Sequence, residues 1–252
     1  MKKLVLATAV AAAFAGSIAH AEDPKPDHEL SFNAAVVSDY RYRGISQTRR
    51  EPALQGGADY THNPSGFYVG TWLSTIKWAK DLGGDGNIEW DIYAGKRGEI
   101  MPSVSYDVGV LTYIYPSNKL DRVPGYTNAD TTELYGQLGY GPAYVKYSHA
   151  VTTIFGNPGS KNSGYLDIGA NVEVGEGLTL NLHAGHQKVK GLYSNVASYT
   201  DYKVGLTKDF GFVTGSVAYI MTNANSSFYY GPAPELKYLG KDNLVFSISK
   251  TF

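Results

Sequence analysis

The stretch Asn243-Leu-Val-Phe-Ser-Ile-Ser-Lys-Thr-Phe252 decides the fold, because large apolar residues occupy every second position along most of it. Leu244, Phe246 and Ile248 share one face, and the positions between them are mostly small or polar. A period of two residues is that of a β-strand, whose successive side chains point to opposite faces. Lys250 continues the apolar face, where its long stem can carry the charge to water. The stretch is therefore predicted to be a strand with one apolar face and an aromatic residue at its end.

The same alternation recurs upstream and predicts twelve strands. Between Leu166 and Val174, and again between Leu178 and Ala184, aliphatic residues alternate with polar residues or glycine. Such a pattern is typical of a strand with one buried face. The predicted strands span residues 30–42, 53–61, 66–77, 87–97, 102–115, 131–141, 142–151, 164–174, 177–188, 198–209, 211–222 and 243–252.

The connections between these strands alternate in length. Tight turns fall at residues 62–65, 98–101, 141–142, 175–177 and 209–211, and longer connections at 43–52, 78–86, 116–130, 152–163, 189–197 and 223–242. Short turns on one rim and long loops on the other are typical of outer-membrane barrels, whereas a soluble sandwich has no reason to sort its loops in this way. The prediction is an all-β, transmembrane, antiparallel up-and-down barrel of about twelve strands, with short periplasmic turns and longer extracellular loops. Its interfacial aromatic residues are expected at Tyr60, Tyr140, Phe210 and Phe252 on the short-turn rim, and at Tyr40 and Tyr42 on the long-loop rim.

The first residues are typical of a secretory signal peptide. A basic head, Met1-Lys2-Lys3, precedes an apolar run to Ala15 and the small-residue motif Ala19-His20-Ala21. We therefore expect residues 1–21 to be cleaved on export and residues 22–252 to form a single barrel domain. The rest of the sequence has no apolar run long enough for a transmembrane helix, so a membrane location requires a closed barrel.

Composition narrows the function classes. The formal net charge is −1 and there is no cysteine, which argues against a nucleic-acid partner and against thiol chemistry. No cofactor or metal site is predicted, because histidines are few and form no close pair on one strand face. An enzyme is not predicted either: Ser148 and His149 are neighbours and so face opposite sides of a strand.

The inward face of the predicted strands carries charges of both signs. The pore-lining candidates are Asp39, Arg41, Arg43, Asp59, Glu89, Asp91, Asp107, Glu133, Asp167, His183, Asp201 and Lys203. Twelve strands should enclose a narrow polar lumen, and mixed charge favours small hydrophilic solutes without a strong ion preference. Arg41 and Arg43 are predicted to point the same way, either as an anion-guiding patch or as partners that neutralise lumenal acids such as Asp59.

Several stretches resemble the TorF family of porins. They are Val37-Ser38-Asp39-Tyr40-Arg41-Tyr42-Arg43-Gly44-Ile45-Ser46-Gln47-Thr48, the segments 52–60 and 66–72, Tyr113-Ile114-Tyr115-Pro116, and Ser249-Lys250-Thr251-Phe252. The resemblance spans nearly the whole mature chain. It implies an integral outer-membrane barrel with a pore role, and little about the substrate.

The leading hypothesis is therefore an outer-membrane porin for passive diffusion of small hydrophilic solutes. The expected partners are outer-membrane lipid, lipopolysaccharide and the barrel-assembly machinery, which in such proteins reads a terminal aromatic such as Phe252. A closed barrel with a structural or surface-binding role through loops 116–130 and 223–242 stays open as an alternative, and a membrane-embedded lipid-modifying enzyme is a weaker one. The solute, gating, oligomeric state and loop roles stay undetermined at this stage.

Overall fold

Twelve strands of the computed structural model close into one antiparallel barrel, which confirms the predicted fold. The structure describes residues 26–231 and 237–252, so the predicted signal peptide lies outside the described residues. Around the barrel the order is β1-β14-β13-β12-β11-β10-β9-β8-β7-β6-β5-β4, and β2 and β3 form a separate two-stranded ribbon. The strands are β1 His28–Val37, β2 Arg41–Tyr42, β3 Ile45–Ser46, β4 Ala53–His62, β5 Phe67–Thr75, β6 Ile88–Met101, β7 Val104–Ile114, β8 Thr131–Tyr140, β9 Ala143–Ala150, β10 Gly164–Gly175, β11 Leu178–Lys188, β12 Tyr199–Asp209, β13 Thr214–Thr222 and β14 Asn243–Thr251.

The helical segments are short and lie in the long connections. They are α1 Trp78–Asp81, α2 Ser194–Ala197 and a single 3₁₀ turn, Leu120–Arg122. Across residues 26–231 and 237–252, no helix combines the length and the apolar character that a membrane span requires.

The barrel closes where its first strand meets its last. Asn33 of β1 pairs with Thr251 of β14, while the other side of β1 pairs with β4. Phe32 and Phe252 complete the seam with two backbone hydrogen bonds, of 3.2 and 2.8 Å. Closure leaves no free strand edge in the wall, as a membrane-spanning sheet requires.

The alternation in the sequence sorts side chains between the two faces of the wall. Large apolar residues such as Val204 and Phe246 face outward, with 48% and 54% of their surface exposed. Tyr60, Tyr140, Phe210 and Phe252 are also exposed, as predicted for the short-turn rim. The positions between the apolar residues face inward and include most of the charged side chains, so the wall is apolar outside and polar inside.

The first strand is shorter than predicted. The alternation favoured a strand over 30–42, but β1 ends at Val37 and the chain then turns into the barrel. Tyr40 is only 8% exposed and Tyr42 packs inside, so the prediction that these two tyrosines belong to the outer aromatic belt was wrong. The error arose because the polar–aromatic alternation continues after the chain has left the wall.

Candidate functional site

Residues 38–52, between β1 and β4, form a hairpin inside the barrel that we call the lumen hairpin. Its two short strands pair Arg41 with Ser46 and Tyr42 with Ile45. The two residues of its tip, Arg43 and Gly44, have φ angles of +46° and +81°. Positive φ at both central residues is the geometry of a type I′ turn, which matches the twist of a two-residue hairpin.

The tip of the lumen hairpin reaches the far wall. Arg43 donates from both terminal nitrogens to the Glu133 carboxylate, at 3.1 and 2.6 Å, and from one of them to Gln187 Oε1 at 2.5 Å. Glu133 lies on β8 and Gln187 on β11, which flank the strands opposite β1 in the barrel order. A Cβ on Gly44 would lie 2.7 Å from the Cβ of Asp201, so only glycine fits at the tip. The hairpin therefore crosses the lumen rather than lining it.

Arg43 is held as a buried cation. Its side chain is 7% exposed and that of Glu133 is 2% exposed. Burial alone disfavours the charged guanidinium, but the adjacent Glu133 carboxylate outweighs burial and keeps the pKa of Arg43 well above its ordinary value. The guanidinium also lies over the Tyr165 ring, 4.2 Å from its centroid. These contacts make the tip a fixed cross-link between the hairpin and two wall strands.

The base of the lumen hairpin is anchored by Asp39, which is almost fully buried. Its carboxylate accepts hydrogen bonds from Arg41 Nε at 2.6 Å, Ser46 Oγ at 2.6 Å and Asn243 Nδ2 at 3.0 Å. Arg41 also donates to the backbone oxygens of Gly44, Leu239 and Lys241. These hydrogen bonds join the two strands of the lumen hairpin at its base. They also join the base to the connection that leads into β14.

Tyr40 joins the middle of the lumen hairpin to the acidic side of the wall. Its hydroxyl donates to Glu89 Oε1 at 2.8 Å, and its ring packs edge-on against Trp72. Burial, and then the charge of Glu89, raise the pKa of Tyr40 well above its ordinary value, so the hydroxyl remains a donor. Asp91, two residues along β6, is 1% exposed, and its carboxylate oxygens have no hydrogen-bond partner among the described residues.

A histidine bridges two carboxylates on the far wall. His183 Nδ1 lies 2.8 Å from Asp167 Oδ1, and its Nε2 lies 2.7 Å from Asp201 Oδ2. Tyr165 donates to Asp201 at 2.9 Å, and Tyr144 donates to Asp167 at 3.2 Å. A neutral imidazole has only one N–H, so both carboxylates receive a hydrogen bond only when the ring is protonated. This arrangement holds the imidazole between two carboxylates that tyrosine hydroxyls also contact.

Tyrosines hold the remaining predicted acids. Tyr93 donates to Asp59 at 2.6 Å, and Tyr68 donates to Asp107 at 2.6 Å. Lys203 follows the inward alternation of β12, in register with His183. In the part of the chain that the structure describes, no group of three or more histidine, aspartate or glutamate side chains is placed to hold a metal ion.

The structure brings the predicted pore-lining residues to the lumen by two routes. Nine of them lie on wall strands and follow the alternation, whereas Asp39, Arg41 and Arg43 lie on the lumen hairpin. The two arginines were predicted to point the same way. They make separate ion pairs, Arg41 with Asp39 and Arg43 with Glu133. Both arginines thus pair with acids, which is the second of the two predicted alternatives, although neither partner is Asp59.

Sequence reasoning missed the groups that receive the hairpin. Gln187 and Tyr165 contact its tip, and Tyr113 contacts the neighbouring Tyr42. None of the three has a sequence signal of its own, because each is one inward position among many. The hairpin itself had a local signal: Arg43-Gly44 is a turn dipeptide flanked by alternating residues.

Residues 21–252 match a family described as a bacterial protein of unknown function, Gcw_chp. The chain belongs to this family. That description does not contain the TorF name, so this part of the resemblance stays a prediction. No curated protein matches the chain significantly.

Solved structures of membrane proteins are similar to this chain at low sequence identity. The NanC porin superposes with a TM-score of 0.52 at 9% identity, over 88% of this chain and 98% of that one. A membrane protein from a study of in-meso crystallization gives 0.50 at 11% identity, over 88% and 83% of the two chains. An outer membrane channel from Pseudomonas putida gives 0.48 at 11% identity, over 91% and 98%. At these identities the likeness concerns the fold alone, and it is that of a porin-like barrel.

Proposed function

We propose that the protein is an outer-membrane porin for small hydrophilic solutes, with the lumen hairpin as its constriction. The polar inner wall of a closed, outwardly apolar barrel carries this proposal. In a dry core, the charged side chains of the inner wall would be costly to bury, whereas a polar inner face is typical of barrels with a water-filled lumen. The outer surface would contact lipid and lipopolysaccharide after export and insertion by the barrel-assembly machinery.

The hairpin sets the expected size limit. It spans from Asp39 near β14 to Arg43 between β8 and β11, so a solute must pass beside it. Acidic side chains outnumber basic ones along the inner wall, but the arginines, lysines and His183 offset much of that charge. The channel is therefore expected to conduct small ions of both signs without a strong preference.

One variant tests the constriction directly. Val37 and Ala53 are register partners at the ends of β1 and β4, so a two-residue Asn-Gly turn can replace residues 38–52 without altering the wall. In planar bilayers we expect the native protein to give a small, steady conductance and the shortened variant a severalfold larger one. Lys161→Met, at an exposed position in the connection between β9 and β10, serves as a control with unchanged conductance. A difference in electrophoretic mobility between heated and unheated samples establishes that each protein has folded.

The closed-barrel alternative is favoured by a specific observation: the hairpin is fixed at its base, middle and tip. If the native protein is silent and the shortened variant conducts, the hairpin is a plug and the protein is not a passive porin. If neither conducts, the lumen is closed by the wall side chains themselves and the porin proposal fails.

A further inference from the structure

All six long connections converge on one cavity above the lumen hairpin. The cavity has a volume of about 120 Å³, and each connection contributes at least one lining residue. Tyr42, Ile45, Ser46 and Gln47 of the hairpin line it from below. A concave space lined mainly by apolar and aromatic side chains, with a few polar groups, is a candidate binding site.

The walls of this cavity are mainly aromatic, in two groups. On one side Trp78 packs edge-on against Tyr115, with ring centroids 4.9 Å apart. On the other, Phe228 packs edge-on against Tyr229 at the same centroid distance. Residues 115–130 and 223–242 connect strand pairs on opposite sides of the barrel. Both groups line the cavity, and a flat ring bound in it would meet aromatic faces or edges.

The polar lining residues show what else the occupant needs. The Asp81 carboxylate is already paired with Arg49, and the Gln187 amide oxygen already accepts from Arg43. Trp78 Nε1 and Asn157 Oδ1, in contrast, have no hydrogen-bond partner among the described residues. A hydroxyl group is a small group that can accept from an indole N–H and donate to an amide oxygen.

We propose that this cavity binds a monocyclic phenol, a single aromatic ring that carries a hydroxyl. An apolar cavity of about 150 Å³ in another protein accommodates benzene, so the space here fits one ring and no more. A sugar of similar size would bury several hydroxyls against aromatic walls with few available partners. Tyr230, which also lines the cavity, is 40% exposed, so the lining extends to the protein surface.

The test is equilibrium dialysis of the folded, detergent-solubilised protein against p-cresol, with protein-free micelles to subtract partitioning. Leu82→Phe and Val189→Phe each add a ring at a lining position and so fill the cavity. Leu192→Phe adds the same ring at a loop position that is 67% exposed, and is the matched control. Heat-modified gel mobility again verifies folding.

We expect saturable binding of one p-cresol per barrel. Each filling variant should weaken it by at least about tenfold, since the space is lost, and the control should stay within about twofold. Toluene should bind roughly tenfold more weakly, because it lacks a hydroxyl that could partner Trp78 Nε1 or Asn157 Oδ1.

Three results would overturn the proposal: no saturable p-cresol binding, equal binding by the filling variants, or stronger binding of glucose than of p-cresol. The dialysis measures no conductance, so its outcome is independent of whether the barrel is a porin.

Discussion

Removing the guanidinium from the tip of the lumen hairpin should destabilise the barrel strongly. In Arg43→Met, the Glu133 carboxylate loses both ion-pair hydrogen bonds while only 2% of its side chain is exposed. Breaking a buried ion pair by removing one partner typically costs about 3–5 kcal/mol, because the other charge stays buried and uncompensated. We expect a loss of that size in the free energy of unfolding.

A double-mutant cycle separates the pair from the residues around it. Glu133→Leu alone should cost about as much as Arg43→Met, whereas the double variant should lie within about 2 kcal/mol of the native protein, since it buries no lone charge. The matched control is the exposed pair of Lys77 and Glu51, whose side chains are 41% and 37% exposed. Lys77→Met should cost less than about 1 kcal/mol.

The measurement is urea-induced unfolding in lipid vesicles, followed by tryptophan fluorescence. If the two single losses simply add in the double variant, Arg43 and Glu133 are not coupled and the role assigned to the tip is wrong. A decrease of less than about 1 kcal/mol in the free energy of unfolding of Arg43→Met would also refute this role, because an exposed ion pair contributes that much.

Three further outcomes follow from the same structure. Gly44→Ala should lower the free energy of unfolding by about 1–3 kcal/mol, because φ is +81° and the new methyl would meet Asp201 at 2.7 Å; an unchanged urea midpoint would contradict this. Val204→Arg, at an outward position in the middle of β12, should cost about 2–4 kcal/mol in vesicles, and equal stability would show that this face does not contact lipid. Asp39→Ala removes the acceptor for Arg41 Nε, so backbone amides of residues 41–46 should exchange hydrogen faster by mass spectrometry, with β10 amides as the unchanged reference.

The wall of the barrel was predictable because each strand has one apolar face, directed outward, and one polar face, directed inward. Along β10 and β11, an apolar residue at every second position identifies the side chains that face outward. This pattern can be read from the sequence without knowledge of any tertiary contact. All twelve wall strands were therefore predicted, with boundaries off by a few residues. The alternation of short and long connections then predicted which ends of the strands lie at each rim of the barrel.

The interior was less predictable because its contacts join strands far apart in sequence. Arg43 meets Glu133 and Gln187 only after closure sets the relative height of the strands, which a single-strand pattern does not encode. The end of β1 was missed for a different reason. The hairpin is itself a small two-stranded sheet, so its alternation has the same period as the wall.

The position of the lumen hairpin constrains the order of assembly. It lies between the first two wall strands, yet its tip binds residues 90 and 144 positions further along the chain. Contacts of such long range form late, because the loop between them must close first. The seam of the wall joins Asn33 to Thr251, a still longer separation, so it is expected to close last, around a bore that the Arg43 guanidinium already spans.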